Sequence, residues 1–325
     1  MSPDELVPLE PVAPSALEPE APDTPQLVSP PAPKPRGIAP LWHTLVLIGV
    51  IVGYSFWGAQ HMHGTGLDPM APVHRPATAH SHADEGADPL RLLRYALSGG
   101  LELLIVAWVA FGLRLRKVPF RTLFGALPRG LNDIVKEAGI ATAFWLSSMT
   151  VLFVLAIGWQ LSATAVYRLQ VQYQNQQQKQ NHNAPPAAKP ISPEKKQLDT
   201  VRELLEIAPA NGLEIAAWGA LCLIVGFSEE LVFRGYLQSQ SIALLHRIPL
   251  GVLVTSLVFG SAHGYQGLRG IVLISAFGAM FSIITLLRRN LFPGMLAHAW
   301  HDFAMGLLLA LVRATHMLDK VLTSS

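Results

Sequence analysis

Long apolar runs alternate with polar connectors along most of the chain, and about seven of these runs are long enough to predict helices that cross a membrane. They cover approximately residues 41–57, 95–113, 138–159, 213–229, 249–264, 271–287 and 292–312. Backbone groups in hydrocarbon must be hydrogen-bonded within their own segment, which favours helices. The pattern therefore predicts an all-α fold, a polytopic membrane helix bundle with about seven transmembrane helices.

Residues with capping chemistry predict where two helices begin. Asn211 and Glu214 have the spacing of an N-cap and an N3 residue, so we expect them at the start of the fourth span. Ser192, followed by Pro193, likewise predicts the start of an amphipathic helix. This helix would belong to a polar extramembrane loop, residues 160–211.

The segments outside the spans complete the predicted organisation. Residues 1–39 are rich in Pro, Ala and acidic residues and lack apolar periodicity, which predicts a disordered, proline-rich tail. Three transmembrane helices are expected in residues 40–159. The other spans are expected in residues 212–313, followed by a C-terminal tail, residues 314–325.

The polar loop between the first two spans carries a group of histidines: His61, His63, His74, His80 and His82. Histidines at such spacings can gather a metal ion. No predicted helix or fixed turn holds these residues, so a solvated loop is the simpler expectation. Two other histidines, His43 and His316, lie near the ends of predicted spans and are expected at the membrane interface.

Composition supports a membrane protein. Apolar residues make up 50% of the chain and charged residues 14%, with a mean hydropathy of +0.35. The net charge of +2 gives no indication of nucleic-acid binding, and the lipid bilayer is the expected environment. The single cysteine, Cys222, excludes an internal disulfide framework and a cysteine-based structural zinc site.

Three ionisable residues, Glu229, Glu230 and Arg234, stand in the fourth apolar run. Charges at membrane depth are costly and indicate a functional site by default. In an α-helix, Glu230 and Arg234 lie about 40° apart and Glu229 and Arg234 about 140° apart. We therefore expect Glu230 to pair with Arg234. Glu229 would then project without this counter-ion, as a candidate general base.

Later spans carry further candidate residues. Phe259 and His263 are separated by four positions and share a face of the fifth span. In the last span, His298, His301 and Asp302 fall within an arc about 100° wide. Imidazoles of His263 and His298 could meet Glu229 in a wet cavity. The structural alternative is a polar contact between helices that has no chemistry.

One more acid, Glu102, lies in the middle of the second span without a local partner. It could form a polar contact between helices or border the site, and the sequence leaves both open. No Gly-x-Ser-x-Gly elbow, Gly-rich phosphate loop or His-Glu-x-x-His helix is present.

Basic connectors predict the orientation. Residues 114–129, Arg247 and the pair Arg288 and Arg289 fall on one side if about seven spans alternate. Basic residues favour the cytoplasmic side, so the amino terminus is expected in the cytoplasm and the carboxyl terminus outside. The plasma membrane is the expected location.

Three short motifs resemble those of a known protein family. They are Glu229–Arg234, Phe259–His263 and His298–Asp302, each in an apolar span and in this order. Together they resemble the motifs of the CAAX prenyl endopeptidase family, also called the CPBP or abortive-infection family of intramembrane proteases. The similar region covers about residues 213–311, under a third of the chain.

The resemblance implies a catalytic helix bundle in residues 212–313 and an endopeptidase that acts near the membrane. By this resemblance, Glu229 and His263 would activate a water molecule for attack on a peptide carbonyl. Glu230 and Arg234 would hold the active carboxylate in place, with Phe259 as a supporting residue. His298 and Asp302 would polarise the carbonyl or stabilise the oxyanion.

Asp302 departs from the family, in which asparagine is frequent at this position. An ionised carboxylate only accepts hydrogen bonds and would repel an oxyanion. Asp302 is therefore protonated, orients a histidine or ligates a metal. The last alternative would be a zinc-dependent metalloprotease with Glu229, His263, His298 and Asp302 as ligands. We expect a hydrolase that requires no cofactor, and zinc remains the alternative.

Two other classes of function stay open. A non-catalytic immunity or scaffold protein would use the same cluster to bind a membrane peptide. A proton-coupled transporter would use the buried acids and histidines as a relay. The expected partner is a peptide or membrane-protein substrate, with or without a prenyl group, and the sequence does not identify it.

Overall fold

The computed structural model describes residues 37–61, 87–180 and 190–315. In chain order the helices are α1 (Leu41–His61), α2 (Pro89–Leu115), α3 (Leu131–Gln180), α4 (Pro193–Ile207), α5 (Gly212–Glu229), α6 (Gln238–Leu245), α7 (Ile248–Ser261), α8 (Gly267–Arg288) and α9 (Phe292–Ala314). A π-helix, Glu230–Leu237, joins α5 to α6. Two short 3₁₀-helices cover Phe120–Leu123 and Gly264–Gln266.

Five helical segments in the described ranges are long and apolar enough to cross a membrane: Pro89–Leu115, Leu131–Gln180, Gly212–Leu245, Gly264–Arg288 and Phe292–Ala314. Two other apolar helical stretches, Leu41–Trp57 and Ile248–Ser261, are shorter. No β-strand occurs in the part of the chain that the structure describes. The predicted all-α membrane bundle is confirmed, whereas the number of about seven spans stays a prediction.

The predicted helix starts are confirmed. Asn211 Oδ1 accepts a hydrogen bond from the backbone N–H of Glu214 at 3.0 Å. Glu214 in turn accepts from the backbone N–H of Ala210 at 2.8 Å through Oε2. At the start of α4, Ser192 Oγ accepts from the backbone N–H of Lys195 at 3.2 Å. The bonds accepted by Asn211 and Ser192 each satisfy a donor that the first helical turn leaves unpaired.

Helix α3 is much longer than the third predicted span. The sequence predicted a span at 138–159 and a polar extramembrane loop from residue 160, whereas the helix extends over 50 residues to Gln180. At 1.5 Å per residue it is about 75 Å long. Glutamine, lysine and leucine all have good helix propensity, so the change to polar residues near residue 160 does not end the helix. The predicted boundary at 159/160 therefore falls inside one helix.

Close helix packing holds the bundle around the motif helices. Helix α5 packs on α9, where a Cβ at Gly226 would lie 2.8 Å from the carbonyl oxygen of Met295. Helix α7 packs on α8, where a Cβ at Gly260 would lie 2.9 Å from the backbone nitrogen of Ser275. Small residues let helix backbones approach. The first contact joins two motif-bearing helices, and α7 is connected to them by its own contact with the π-helix of the first motif.

A buried polar network connects α1 to the motif helix. His43 is fully buried, with Nδ1 2.9 Å from Tyr236 Oη and Nε2 2.8 Å from the carbonyl oxygen of Trp108. Thr44 Oγ1 lies 2.9 Å from the same Tyr236 hydroxyl and accepts from Gln240 Nε2 at 3.1 Å. Partners on two other segments satisfy the ring of His43 inside the bundle, and its expected position at the membrane interface stays a prediction. His316 lies outside the described residues.

Candidate active site

The first motif begins where α5 changes into the π-helix. Glu229 is the last residue of α5, and every residue of the π-helix from Glu230 to Leu237 is buried. Segments of π-helix are rare in proteins, and those that occur often lie at functional sites. The irregular turn places two adjacent carboxylates in different surroundings.

Glu230 and Arg234 form the ion pair that their spacing predicted. Arg234 Nη1 lies 2.9 Å from Glu230 Oε1, and the two side chains are 1% and 0% exposed. The guanidinium carbon lies 4.2 Å from the centroid of the Phe259 ring, and Nη2 donates to the carbonyl oxygen of Gly278 at 3.3 Å. A cation over an aromatic face is stabilised by the ring. The pair is thus held between α7 and α8, with the ring of Phe259 against the guanidinium.

His298 on α9 connects the two carboxylates of the first motif. Its Nδ1 lies 2.9 Å from Glu230 Oε1, and its Nε2 lies 3.4 Å from Glu229 Oε2. The same Nε2 lies 3.8 Å from Asp302 Oδ2, one turn further along α9. Because Glu230 is itself paired with Arg234, the imidazole has one ring nitrogen held firmly and the other directed at two further acids.

Glu229 differs from Glu230 in its surroundings. Its side chain is 15% exposed, whereas the side chain of Glu230 is fully buried. In the described part of the chain no group forms a hydrogen bond with Glu229 Oε2. This oxygen faces His298 instead of Arg234, in agreement with the different directions predicted for the two glutamates. A carboxylate without a fixed donor is suited to accept a proton.

His263 lies at the edge of the cluster and beyond the end of its helix. The sequence predicted that this span would continue to residue 264, whereas α7 ends at Ser261 and the chain turns into the 3₁₀-helix. The Nδ1–H of His263 donates to the carbonyl oxygen of Phe259 at 3.0 Å. The Phe259 ring lies 5.2 Å from the ring of His263 and 6.0 Å from that of His298, between centroids. His298 therefore contacts Glu229 directly, whereas His263 is connected to His298 through the ring of Phe259.

Glu102 on α2 belongs to this cluster. It interacts electrostatically with Glu229, His298 and Asp302, and α2 packs against α5. The sequence left its place open because no neighbour in the chain is a partner, and only its position in mid-span signalled a function. His301 instead packs on the Phe277 ring, with centroids 4.9 Å apart.

A zinc site requires several ligands close enough to share one metal ion. In the described ranges, no group of three or more His, Cys, Asp and Glu side chains is arranged to hold a metal. The described arrangement therefore does not fit a zinc ion, and the metalloprotease alternative stays a prediction. Of the histidine-rich loop, His63, His74, His80 and His82 lie outside the described residues, as does the side chain of His61.

Comparison with known proteins agrees with the motifs. No curated protein and no solved structure matches the chain. One family model does match, over residues 211–304, a segment that contains the whole cluster except Glu102. The resemblance based on the three motifs is therefore confirmed, and residues 211–304 match the model of the family described as type II CAAX prenyl endopeptidase Rce1-like.

Proposed function

We propose that the chain is an intramembrane endopeptidase in which Glu229 activates a water molecule for attack on a peptide bond near the membrane. The observation that carries the proposal is the approach of Glu229 Oε2 to within 3.4 Å of His298 Nε2. A base and an electrophilic partner thus lie side by side in a segment of an endopeptidase family.

Glu229 acts as the general base. Its carboxylate takes a proton from the water, the oxygen of which attacks the carbonyl carbon of the substrate, and the proton is then given to the leaving amine. His263 assists at the water. Because its Nδ1–H donates to a carbonyl oxygen, the Nε2 of the neutral ring is free to accept a proton or a hydrogen bond. A positioned acid or base contributes about 10²–10⁴-fold to such a reaction.

His298 stabilises the negative charge that develops on the carbonyl oxygen. Glu230 accepts the hydrogen bond from its Nδ1–H, so His298 has an Nε2–H to donate to the substrate when the ring is protonated. Of the alternatives for Asp302, the 3.8 Å separation of Oδ2 from His298 Nε2 supports a role in orienting this ring. The loss of one oxyanion donor costs about 10²–10³-fold in rate.

The substrate is a peptide or membrane protein that is cleaved near the bilayer. The family description names a prenyl endopeptidase. We therefore propose a prenylated peptide as the first substrate to test with this chain. The family match covers the helices that carry the site, residues 211–304, and does not identify the residues that select the substrate.

The test is cleavage of a synthetic peptide library, which includes a farnesylated member, by the full chain in proteoliposomes. Mass spectrometry of the products should show new termini for wild type and none for the variant His298→Ala. Binding of the peptides without any cleavage by wild type would support a scaffold instead, and ion-coupled flux without cleavage would support a transporter. Either result would overturn the proposed function.

A further inference from the structure

A cavity of about 1000 Å³ lies outside the cluster described above. Its walls come from the distal half of α3, from α4 and from the residues that follow His263, Tyr265 to Ile274. Ligand pockets in proteins have volumes of about 300–1,000 Å³, so this cavity is large enough for a segment of polypeptide.

Most of the wall has no counterpart in the family match. Helices α3 and α4 end before residue 211, where the matched segment begins. The two helices are joined at the cavity by weak polar contacts, in which Gln160 Nε2 and Thr164 Oγ1 approach Glu194 Oε1 at 3.5 and 3.4 Å. The cavity is thus formed by an addition to the protease helices.

The remaining wall is next to a proposed catalytic residue. Tyr265 lines the cavity, and its ring centroid lies 6.0 Å from that of His263. Gly264 and Gln266 belong to the same 3₁₀-helix, so the cavity wall and His263 are parts of one short turn. A ligand in the cavity would therefore lie close to the proposed active site.

The chemistry of the wall suits an uncharged, extended peptide. Several side chains are carboxamides, including Gln160, Gln170, Gln197 and Gln266, each of which offers both donors and an acceptor. A peptide backbone presents the same two kinds of group along its length.

Charges in the wall balance. Lys196 and Arg269 are offset by Asp199 and Glu203, so no strongly charged ligand is favoured. The Nε of Arg269 is buried and has no hydrogen-bond partner in the described ranges. A buried donor of this kind is costly unless it is paired, so a carbonyl oxygen of a bound peptide would stabilise it.

We propose that this cavity is a docking site for the extended, polar segment of the substrate that lies outside the membrane, next to the scissile bond. This inference rests on the proposed function because it takes the occupant to be the substrate. The cavity would thereby hold the substrate in register with His263, and substrate choice would depend on residues outside the protease helices.

The test compares two substitutions on α3 of the full chain in proteoliposomes. Ala163 lines the cavity, so Ala163→Trp would fill it. Ala165 is exposed on another side of the same helix, which makes Ala165→Trp the matched control for helix integrity. A second pair removes one carboxamide each: Gln197→Ala in the wall and Gln176→Ala at an exposed position outside it.

Two probes are used, a leucine-rich membrane peptide with uncharged polar tails and the same peptide without tails. Ala163→Trp should raise the Kd for the tailed peptide about tenfold and Gln197→Ala by a smaller factor. Neither change should affect the peptide without tails, and both controls should match wild type. In cleavage assays the effect should appear in KM and not in kcat.

Equal affinity of wild type and Ala163→Trp for the tailed peptide would overturn the docking site. An equal loss for both probes, or in the Ala165→Trp control, would overturn it as well, because it would indicate a general disturbance of the helix. The binding measurement needs no catalysis. Absence of cleavage by wild type together with the expected change in Kd would therefore contradict the proposed function and still support the docking site.

Discussion

Oε1 of Glu230 lies 2.9 Å from Nδ1 of His298 and, on its other side, 2.9 Å from Nη1 of Arg234. One buried oxygen therefore connects a cation on the first motif to the imidazole of the third. Removal of one partner from a buried charge pair leaves the other without compensation.

Glu230→Gln is expected to destabilise the protein by about 3–5 kcal/mol, because it leaves the Arg234 guanidinium buried without its carboxylate. Unfolding in detergent measures the effect, with the exposed Glu194→Gln as the matched control. The double variant Glu230→Gln/Arg234→Met should lose less stability than the sum of the single changes, because it leaves neither charge unpaired. Additive losses would contradict the pairing.

His263→Ala is expected to lower kcat by about 10²-fold with little change in stability, because its side chain is half-buried and forms one local hydrogen bond. His301→Ala is the matched control, since this histidine packs on Phe277 and has no part in the proposed reaction. Steady-state cleavage in proteoliposomes measures both. Equal losses of kcat in the two variants would indicate that His263 has only a structural role.

Tyr236→Phe is expected to destabilise the protein by about 1–3 kcal/mol, because it removes the hydroxyl that both His43 and Thr44 contact at 2.9 Å. Tyr173→Phe, at a side chain that is 62% exposed, should be neutral. Thermal unfolding in detergent measures both variants. A Tyr236→Phe protein as stable as wild type would show that the network connecting α1 to the motif helix does not contribute to stability.

A chelator is expected to leave cleavage unchanged, because no group of described side chains is arranged to hold a metal ion and Glu229 is proposed to activate water by itself. The measurement is the initial rate before and after dialysis against the chelator. Loss of activity that added zinc restores would support the metalloprotease alternative and contradict the proposed role of Glu229.

Local patterns predicted much of the fold. Hydropathy predicted the membrane helices, the Asn211 and Ser192 caps predicted two helix starts, and a spacing of four residues predicted the pair of Glu230 with Arg234. These features depend on neighbours within about one helical turn, so the sequence carries them directly.

Features that depend on distant partners were not predictable. The Tyr236 partner of His43 is 193 residues away, and Glu102 reaches the site only because α2 packs on α5. The π-helix was also missed, since its hydrogen-bonding pattern differs from that of an α-helix without a distinct residue signature. For α3, the polar composition from residue 160 onward predicted a loop. The helix continues to Gln180 because many of these residues are good helix formers.

The most direct test of the central claim is the cleavage rate of Glu229→Gln in proteoliposomes, compared with wild type and with Glu194→Gln. The substitution keeps the size of the side chain and removes its ability to take a proton from water. We predict a loss of at least about 10²-fold in kcat with stability close to that of wild type, because Glu229 is not the partner of Arg234. Cleavage by Glu229→Gln at the wild-type rate would contradict the account.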